Sequence, residues 1–331
     1  MTRVAIVGVG NMGRNHAHAV SDHPTLVLDS VVDVDADNAA EVAETYGANR
    51  SETDAEPAFE RADAAIVATP SHAHLEPAEK ALDAGLHLLL EKPVSRDIDA
   101  ARTFANRCYK TDLVTGVSFI LRYESAYATV REAARDGDIG DVVAGRAKRT
   151  IPMSNSRKAG PGDHPLFYMN IHDVDALLSA VEERVDEVTG YERRGELTDI
   201  DIPDAHQVLL RFKDGTIATL EGYGVLPEEV PGDIAAEFEL GGTDGTALVT
   251  LPSEEVELYA DGYDRPDLHY WPVVNNRMDG AVRRQIGQFA DAVAGKGEIL
   301  ATITDGVRAQ TVAETARRAI EGNRPISPDT V

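Results

Sequence analysis

Three glycines near the start of the chain have the spacing of a phosphate-binding turn. Gly8, Gly10 and Gly13 lie between a strand-like run, Arg3-Val4-Ala5-Ile6-Val7, and a helix-like stretch, with Asn11 and Met12 completing the turn. Gly8 permits a tight turn, Gly10 lets the backbone approach a pyrophosphate, and Gly13 lets helix and strand pack closely. The helix N-terminus then presents free N–H groups and the positive end of its dipole to the phosphates. Asp33 follows at the distance where an acid accepts hydrogen bonds from the adenosine ribose. Its carboxylate would repel a 2′-phosphate, so NAD is expected as cofactor in preference to NADP. The competing reading is a structural glycine turn with an acid nearby by chance.

Further chemistry-bearing residues fall at the ends of later strands. Thr69-Pro70 ends one and Glu91-Lys92-Pro93 another, with His74 shortly after the first. Ligands of open α/β sheets bind beyond the carboxyl ends of the strands, so all of these point to one crevice. Lys92 is the sharpest catalytic candidate: an ammonium there orients a substrate hydroxyl and relays a proton, and Glu91 pairs with it or touches the cofactor. The alternative for Lys92 is a surface salt bridge, which contributes little. A second candidate is His172 in Tyr168-Met169-Asn170-Ile171-His172-Asp173. A neutral imidazole there is suited to take a proton from an alcohol; the alternative is a helix histidine held by neighbouring acids. His164, in a loop, is a candidate substrate contact. His16/His18 and His72/His74 are two residues apart and do not share a helix face, and no Cys/His group has zinc spacing, so no metal site is expected.

The elements that must position these residues are legible as patterns. The first part alternates strands, expected at residues 3–8, 27–33, 64–69, 86–90 and 113–118, with Ala-rich helical stretches. This is the pattern of a doubly wound parallel sheet, an α/β Rossmann domain expected over residues 1–119. The second part, residues 120–331, reads as an α+β substrate and oligomerisation domain with a mainly antiparallel open sheet. Its strands are expected at residues 185–191, 207–212, 216–223, 236–240, 246–251 and 256–260, with a hairpin at Lys213-Asp214-Gly215. Helices are expected at residues 126–136, 166–181, 278–294 and 305–321, a loop at 155–165 and a frayed end from 325.

The chain of 331 residues carries 57 acidic against 32 basic groups, a formal charge of −25. Only seven of those bases are lysines. Such a surface argues against nucleic acid and anionic membranes as partners. Its balance is that of a halophilic protein, where counterions screen the self-repulsion. Cys108 is the only cysteine and sits in a helical stretch as a small apolar residue. With no leader-like segment and no apolar run long enough for a bilayer, a cytoplasmic location is expected.

Taken together these residues resemble the glucose–fructose oxidoreductase / inositol 2-dehydrogenase / MocA (GFO/IDH/MocA) family over essentially the whole chain. The resemblance rests on residues 4–16, on Ala68-Thr69-Pro70-Ser71-His72-Ala73-His74, and most specifically on Glu91-Lys92-Pro93. Residues 118–123, containing Arg122, are similar to the family's junction motif, and residues 171–175 to its catalytic helix. It implies NAD(P)-dependent hydride transfer to or from a secondary alcohol of a sugar, cyclitol or derivative. Lys92 would then match the family lysine, His172 its general base, and Arg122 a substrate contact. Tyr168 stands where the family has Asp and Asn170 where it often has Gly, so the phenol is a candidate replacement, sharing a proton with Lys92. Two rivals remain: an NAD-dependent glycosidase using transient oxidation, and an inactive NAD-binding protein. An exposed sheet face implies a homodimer or homotetramer.

The charge balance makes a direct prediction. Raising KCl from about 0.1 M to about 2 M, which shortens the screening length several-fold, should raise the melting temperature and the activity. Full folding and activity in dilute buffer would refute the halophilic reading.

Overall fold

The structure is a computed structural model describing residues 1–228, 234–252, 256–259 and 263–330. The chain divides into two compact units, Met1–Glu124 with Leu268–Val307, and Ser125–Asp267 with Arg308–Val331.

The first unit is built on six parallel strands: β1 (Thr2–Val7), β2 (Leu26–Val32), β3 (Arg50–Glu52), β4 (Ala64–Val67), β5 (His87–Leu90) and β6 (Thr115–Val117). Helices α1 (Asn11–Ser21), α2 (Ala36–Tyr46), α3 (Ala55–Phe59), α4 (Leu75–Asp83) and α5 (Ile98–Cys108) connect them. The strand order is β3-β2-β1-β4-β5-β6, the doubly wound arrangement, and it reverses between β1 and β4. The central strands are nearly continuous apolar runs because helices cover both faces of such a sheet. Aspartates stop and start the chain on cue: Asp35 caps α2 and Asp97 caps α5, each accepting two backbone N–H bonds. Gly47, at φ +71°, ends α2. The short β3 and α3 have too few apolar residues to be read from pattern.

The second unit opens with α6 (Ser125–Arg135), β7 (Val142–Pro152), α7 (Met153–Lys158), α8 (Pro165–Tyr168) and α9 (Ile171–Val181). Strands β8 (Val185–Arg193), β9 (Ala205–Phe212), β10 (Ile217–Leu226), β11 (Ala235–Gly242) and β12 (Thr246–Leu251) follow. The sheet order is β12-β11-β7-β10-β9-β8; only β7 and β10 run parallel. β9 alternates buried and exposed residues, the mark of one packed and one open face. The expected hairpin at residues 213–215 joins β9 to β10, with Gly215 at φ +96°. Sequence pattern missed β7, although it is central. Four basic or hydroxyl residues in Arg146-Ala147-Lys148-Arg149-Thr150 mask its alternation. The helix expected over residues 166–181 is two helices, broken at Met169–Asn170, and α7 occupies the start of the expected loop at 155–165.

Two short ribbons follow, β13 (Leu258–Tyr259) with β14 (Tyr263–Asp264), and β15 (Val273–Val274) with β16 (Arg277–Met278). Of the expected strand at 256–260, Ala260 lies outside the described residues. Helices α10 (Gly280–Val293) and α11 (Ile303–Gly322) complete the chain; α11 begins in the first unit and continues in the second. The division is therefore not the contiguous one expected from the sequence. The first unit runs to Glu124, and residues 268–307 return to it. The reason is an edge strand: Gly116 on β6 bridges Thr302, and the Val117 N–H donates to the Ala301 carbonyl (3.0 Å). An unpaired strand edge invites association, and the returning segment covers it. The expected fraying is also not seen: Ile326 exchanges backbone hydrogen bonds with Val188 (2.8 and 2.9 Å), and Asp329 pairs with Arg184. Val331 lies outside the described residues. Among the described residues no helix is long and apolar enough to cross a membrane.

Candidate functional site

The point where strand order reverses is where β1 delivers the glycine turn. Gly8 takes φ +86°, and a Cβ there would lie 2.5 Å from the Thr69 nitrogen, so the turn packs directly on the loop after β4. A Cβ on Gly13 would collide with the Gly8 carbonyl oxygen. A Cβ on Gly10, by contrast, would meet nothing within 4 Å: this backbone faces open space. Gly10 and Asn11 are exposed and Met12 half-buried, and no side chain caps the first turn of α1. The residues thus form a cradle for a phosphate-bearing group, with N–H donors unclaimed by any capping side chain. Asp33 is half-buried at the end of β2. One oxygen accepts from the Val9 N–H (2.9 Å) and Asn38 (3.1 Å), the other from the Asp35 N–H (3.1 Å). A carboxylate has about four lone-pair positions, so capacity remains for a ribose hydroxyl.

On the other side of the reversal β5 ends in Glu91 and Lys92. Glu91 is buried, and its Oε1 lies 2.9 Å from Nε2 of His16, which is wholly buried on α1. Its Oε2 accepts the Lys92 N–H at 3.2 Å. Burial by itself would push the Glu91 carboxyl up, but His16, the Lys92 charge and the Ser118 hydroxyl bring it below the ordinary carboxylate range. Glu91 is therefore an anion, and its expected partnership with Lys92 is shared with a histidine that sequence reasoning set aside. Lys92 itself is half-buried. Thr69 and Pro70 are accessible at the end of β4, with the Thr69 hydroxyl bonded to the Ala73 carbonyl (3.0 Å).

His74 corrects an expectation. Its ring is buried, with one nitrogen 2.7 Å from the Pro93 carbonyl and the other 2.8 Å from the Thr69 carbonyl; a neutral ring donates its one N–H to either of them, and the two carbonyls enclose both nitrogens. Burial pulls its pKa below that of a free histidine, while the two carbonyls and Glu91 resist. His74 clamps two site loops together and offers a ligand no nitrogen. Arg122 bonds to the Leu300 carbonyl and pairs with Asp305 (3.4 Å), tying the end of the first segment to the returning one.

In the second unit, His172 lies half-buried on the first turn of α9. The start of that helix is held from the sheet. Arg149 on β7 grips the neighbouring Asp173 with two bonds (2.9 and 2.8 Å), both side chains being buried. The Asn170 amide donates to Asp173 and to the Glu221 carbonyl, each at 3.1 Å. Gly222 makes room, since a Cβ there would strike Asn170 and His206. Tyr168 is half-buried beside Ser156; burial raises its pKa, and Asp163 adds to the rise over the Ser156 bond. Its own unit therefore favours the neutral phenol over the phenolate considered from sequence.

His164 is also reassigned. Its Nδ1 accepts the Leu166 N–H (3.2 Å), capping α8, which leaves Nε2 as the donor to Glu192 (3.0 Å). That bond, ahead of Arg194, draws the Glu192 carboxyl down to about 2. His206 lies against it, ring centroids 5.7 Å apart, and burial drives its pKa to about 3. Cys108 is buried, its thiol pushed up to about 11, an inert packing residue. Among the described residues no His/Cys/Asp/Glu group could hold a metal ion.

Two family models match this chain. The oxidoreductase-family model with an NAD-binding Rossmann fold covers residues 2–119, and the GFO/IDH/MocA C-terminal domain model covers residues 127–248. Inositol 2-dehydrogenase of Rhizobium meliloti is 28% identical over 337 residues, spanning 98% of each chain. UDP-N-acetylglucosamine 3-dehydrogenase of Acidithiobacillus ferrooxidans is 26% identical, over 96% of this chain and 97% of that one. The crystal structure of scyllo-inositol dehydrogenase from Lactobacillus casei with NAD(H) and scyllo-inositol superposes with a TM-score of 0.84 over 99% of both chains. At 20% identity it shares the fold.

The Arg149–Asp173 pair has a measurable consequence. Replacing Arg149 by Met leaves the Asp173 carboxylate buried without its guanidinium and should cost about 3–5 kcal/mol of stability. The double change with Asp173→Asn should recover part of it. Urea unfolding of the two variants measures both.

Proposed function

The chain belongs to the GFO/IDH/MocA family of NAD-binding oxidoreductases and is a dehydrogenase acting on CH–OH groups; from that premise we propose that its substrate is a secondary alcohol of a sugar, cyclitol or sugar derivative. The observation that carries the reading is that the glycine turn, Asp33, Thr69-Pro70 and Glu91-Lys92 all follow the carboxyl ends of the central strands of one sheet, on both sides of the reversal in strand order. The two relatives are named for inositol and for a UDP-sugar, both polyhydroxylated rings, which supports the substrate class. Both names are those of dehydrogenases, and neither the glycosidase nor the inactive-binder reading draws support from them.

The turn from Gly8 to Gly13 would hold the NAD pyrophosphate, Asp33 the adenosine ribose, and Thr69, Pro70 and Glu91 the end nearer the chemistry. NAD supplies a hydride acceptor there. NAD is favoured over NADP because the Asp33 carboxylate opposes a 2′-phosphate, and Arg14 in the same region is engaged by Glu41 (2.9 Å) and Asn38 (2.6 Å). His172 takes the substrate hydroxyl proton as a neutral imidazole, and Lys92 orients the same hydroxyl and stabilises the charge that develops on its oxygen. Tyr168 acts as a neutral hydrogen-bond donor to the substrate. The proposal extends to a cytoplasmic homodimer or homotetramer, formed on the open face of the second unit's sheet. Leu209, Ile217 and Leu248 stand exposed on its strands.

The test is NADH formation in concentrated KCl against polyols, aldoses and UDP-sugars. Accumulation with at least one is expected, and none with any would overturn the reading. Lys92→Ala and His172→Ala should each lower kcat by about 10²-fold or more while the Kd for NAD stays within about threefold. The double variant should be little worse than the poorer single one, as groups acting on one atom behave. Sedimentation of the intact protein should give two or four times 35.6 kDa; a monomer would refute the assembly.

A further inference from the structure

Behind Lys92 lies a chain of buried polar groups of which the proposed reaction itself uses only Glu91. His16 on α1 meets Glu91 at the end of β5 (2.9 Å). The Ser118 hydroxyl, just beyond β6, donates to Oε1 of Gln285 on α10 (3.0 Å) and lies close enough to Glu91 to help draw its carboxyl down. All four residues are at least nine-tenths buried. We propose that His16, Ser118 and Gln285 are positioning residues that hold the Glu91 carboxylate behind Lys92 and thereby set the charge state and place of the Lys92 ammonium. This deepens the reading above and rests on it for the role of Lys92.

Two observations argue for a task beyond stability. An ionised carboxylate is expensive to bury, and apolar side chains of similar volume generally hold elements together as well or better. Moreover the network is not fully satisfied: Nδ1 of His16 and Nε2 of Gln285 are buried with no hydrogen-bond partner among the described residues. Such a cost is retained at positions with a function. Its geometry also singles out Lys92. The carboxylate accepts the backbone N–H of Lys92 (3.2 Å), so it fixes the main chain from which the ammonium projects, and the Lys92 charge in turn helps keep it ionised. The titratable groups facing Glu91 are His16 from α1, Lys92 at the end of its own strand, and His74 from the segment after β4.

The consequence is directional. Without the Nε2 donor of His16, burial favours the neutral carboxyl, and the ammonium loses the anion beside it. Lys92 then gives up its proton more readily.

The experiment titrates Lys92 without turnover. Competitive acylation of the full-length protein across pH, read by mass spectrometry, follows Lys92 against the six other lysines as references. In His16→Leu the Lys92 midpoint should fall by about one pH unit, a coupling of about 1.4 kcal/mol. Its kcat should fall about tenfold or more, with the Kd for NAD within about threefold. His16→Gln, whose amide N–H replaces the lost donor, should restore both. Ser118→Ala, a smaller change, should move the midpoint the same way and covers the case in which His16→Leu does not fold. An unmoved midpoint in His16→Leu and Ser118→Ala, or equal losses in His16→Leu and His16→Gln, would overturn the proposal. A shifted midpoint together with full turnover in Lys92→Ala would sustain the network and remove Lys92 from the chemistry.

Discussion

Among the glycines of the first unit, Gly13 leaves the least room for a side chain, since an added Cβ would run into the Gly8 carbonyl oxygen, and much of the site follows from that. With no Cβ at position 13, α1 settles against the turn that begins it. That contact sets where the helix starts and the phase of its faces. About one turn further on, the same phase buries His16 completely and brings it to Glu91 just after β5. A Cβ at position 13 would push the start of α1 off the turn and disturb the contact of His16 with Glu91. One missing side chain thus shapes both the phosphate cradle at the helix start and the electrostatics behind Lys92, two strands away.

The second unit solves the same problem with charge. The first turn of α9 carries His172, and it is fastened to the sheet through Asp173 to Arg149 and through Asn170 to Glu221. Gly222 is the price of that arrangement, since any side chain there would occupy the space of Asn170 and His206. Removing one partner of a buried pair is far more damaging than never having had the pair. Arg149 and Asp173 are therefore coupled choices, and the orientation of the proposed base depends on both.

The returning segment Leu268–Val307 shows how far a functional region can reach along a chain. It covers the edge of β6 and contributes Gln285 to the polar chain behind Lys92, while Arg284 bonds to the Tyr123 carbonyl (2.5 Å) and His269 pairs with Glu124 (3.1 Å). An edge strand needs a cover, and the nearest one here lies more than 150 residues downstream in sequence.

The sequence by itself determined the parallel sheet, the glycine turn with its acid, and the strand-end position of Lys92. These are local: apolar runs of period two or longer, a turn that only glycine permits, and a break at proline are properties of a few consecutive residues. The candidates whose meaning changed, His74 and His164, were polar side chains whose partners are distant in the chain or are backbone carbonyls that every residue carries. His16 was passed over for the same reason: nothing beside it indicates a carboxylate 75 positions later. Strand β7 escaped because its open face is basic, and the membership of residues 268–307 because helical periodicity states that a helix forms but not what it packs on. Only the tertiary structure decided these matters, since whether a buried polar atom is ligand, clamp or positioner depends on which atom comes within about 3 Å of it.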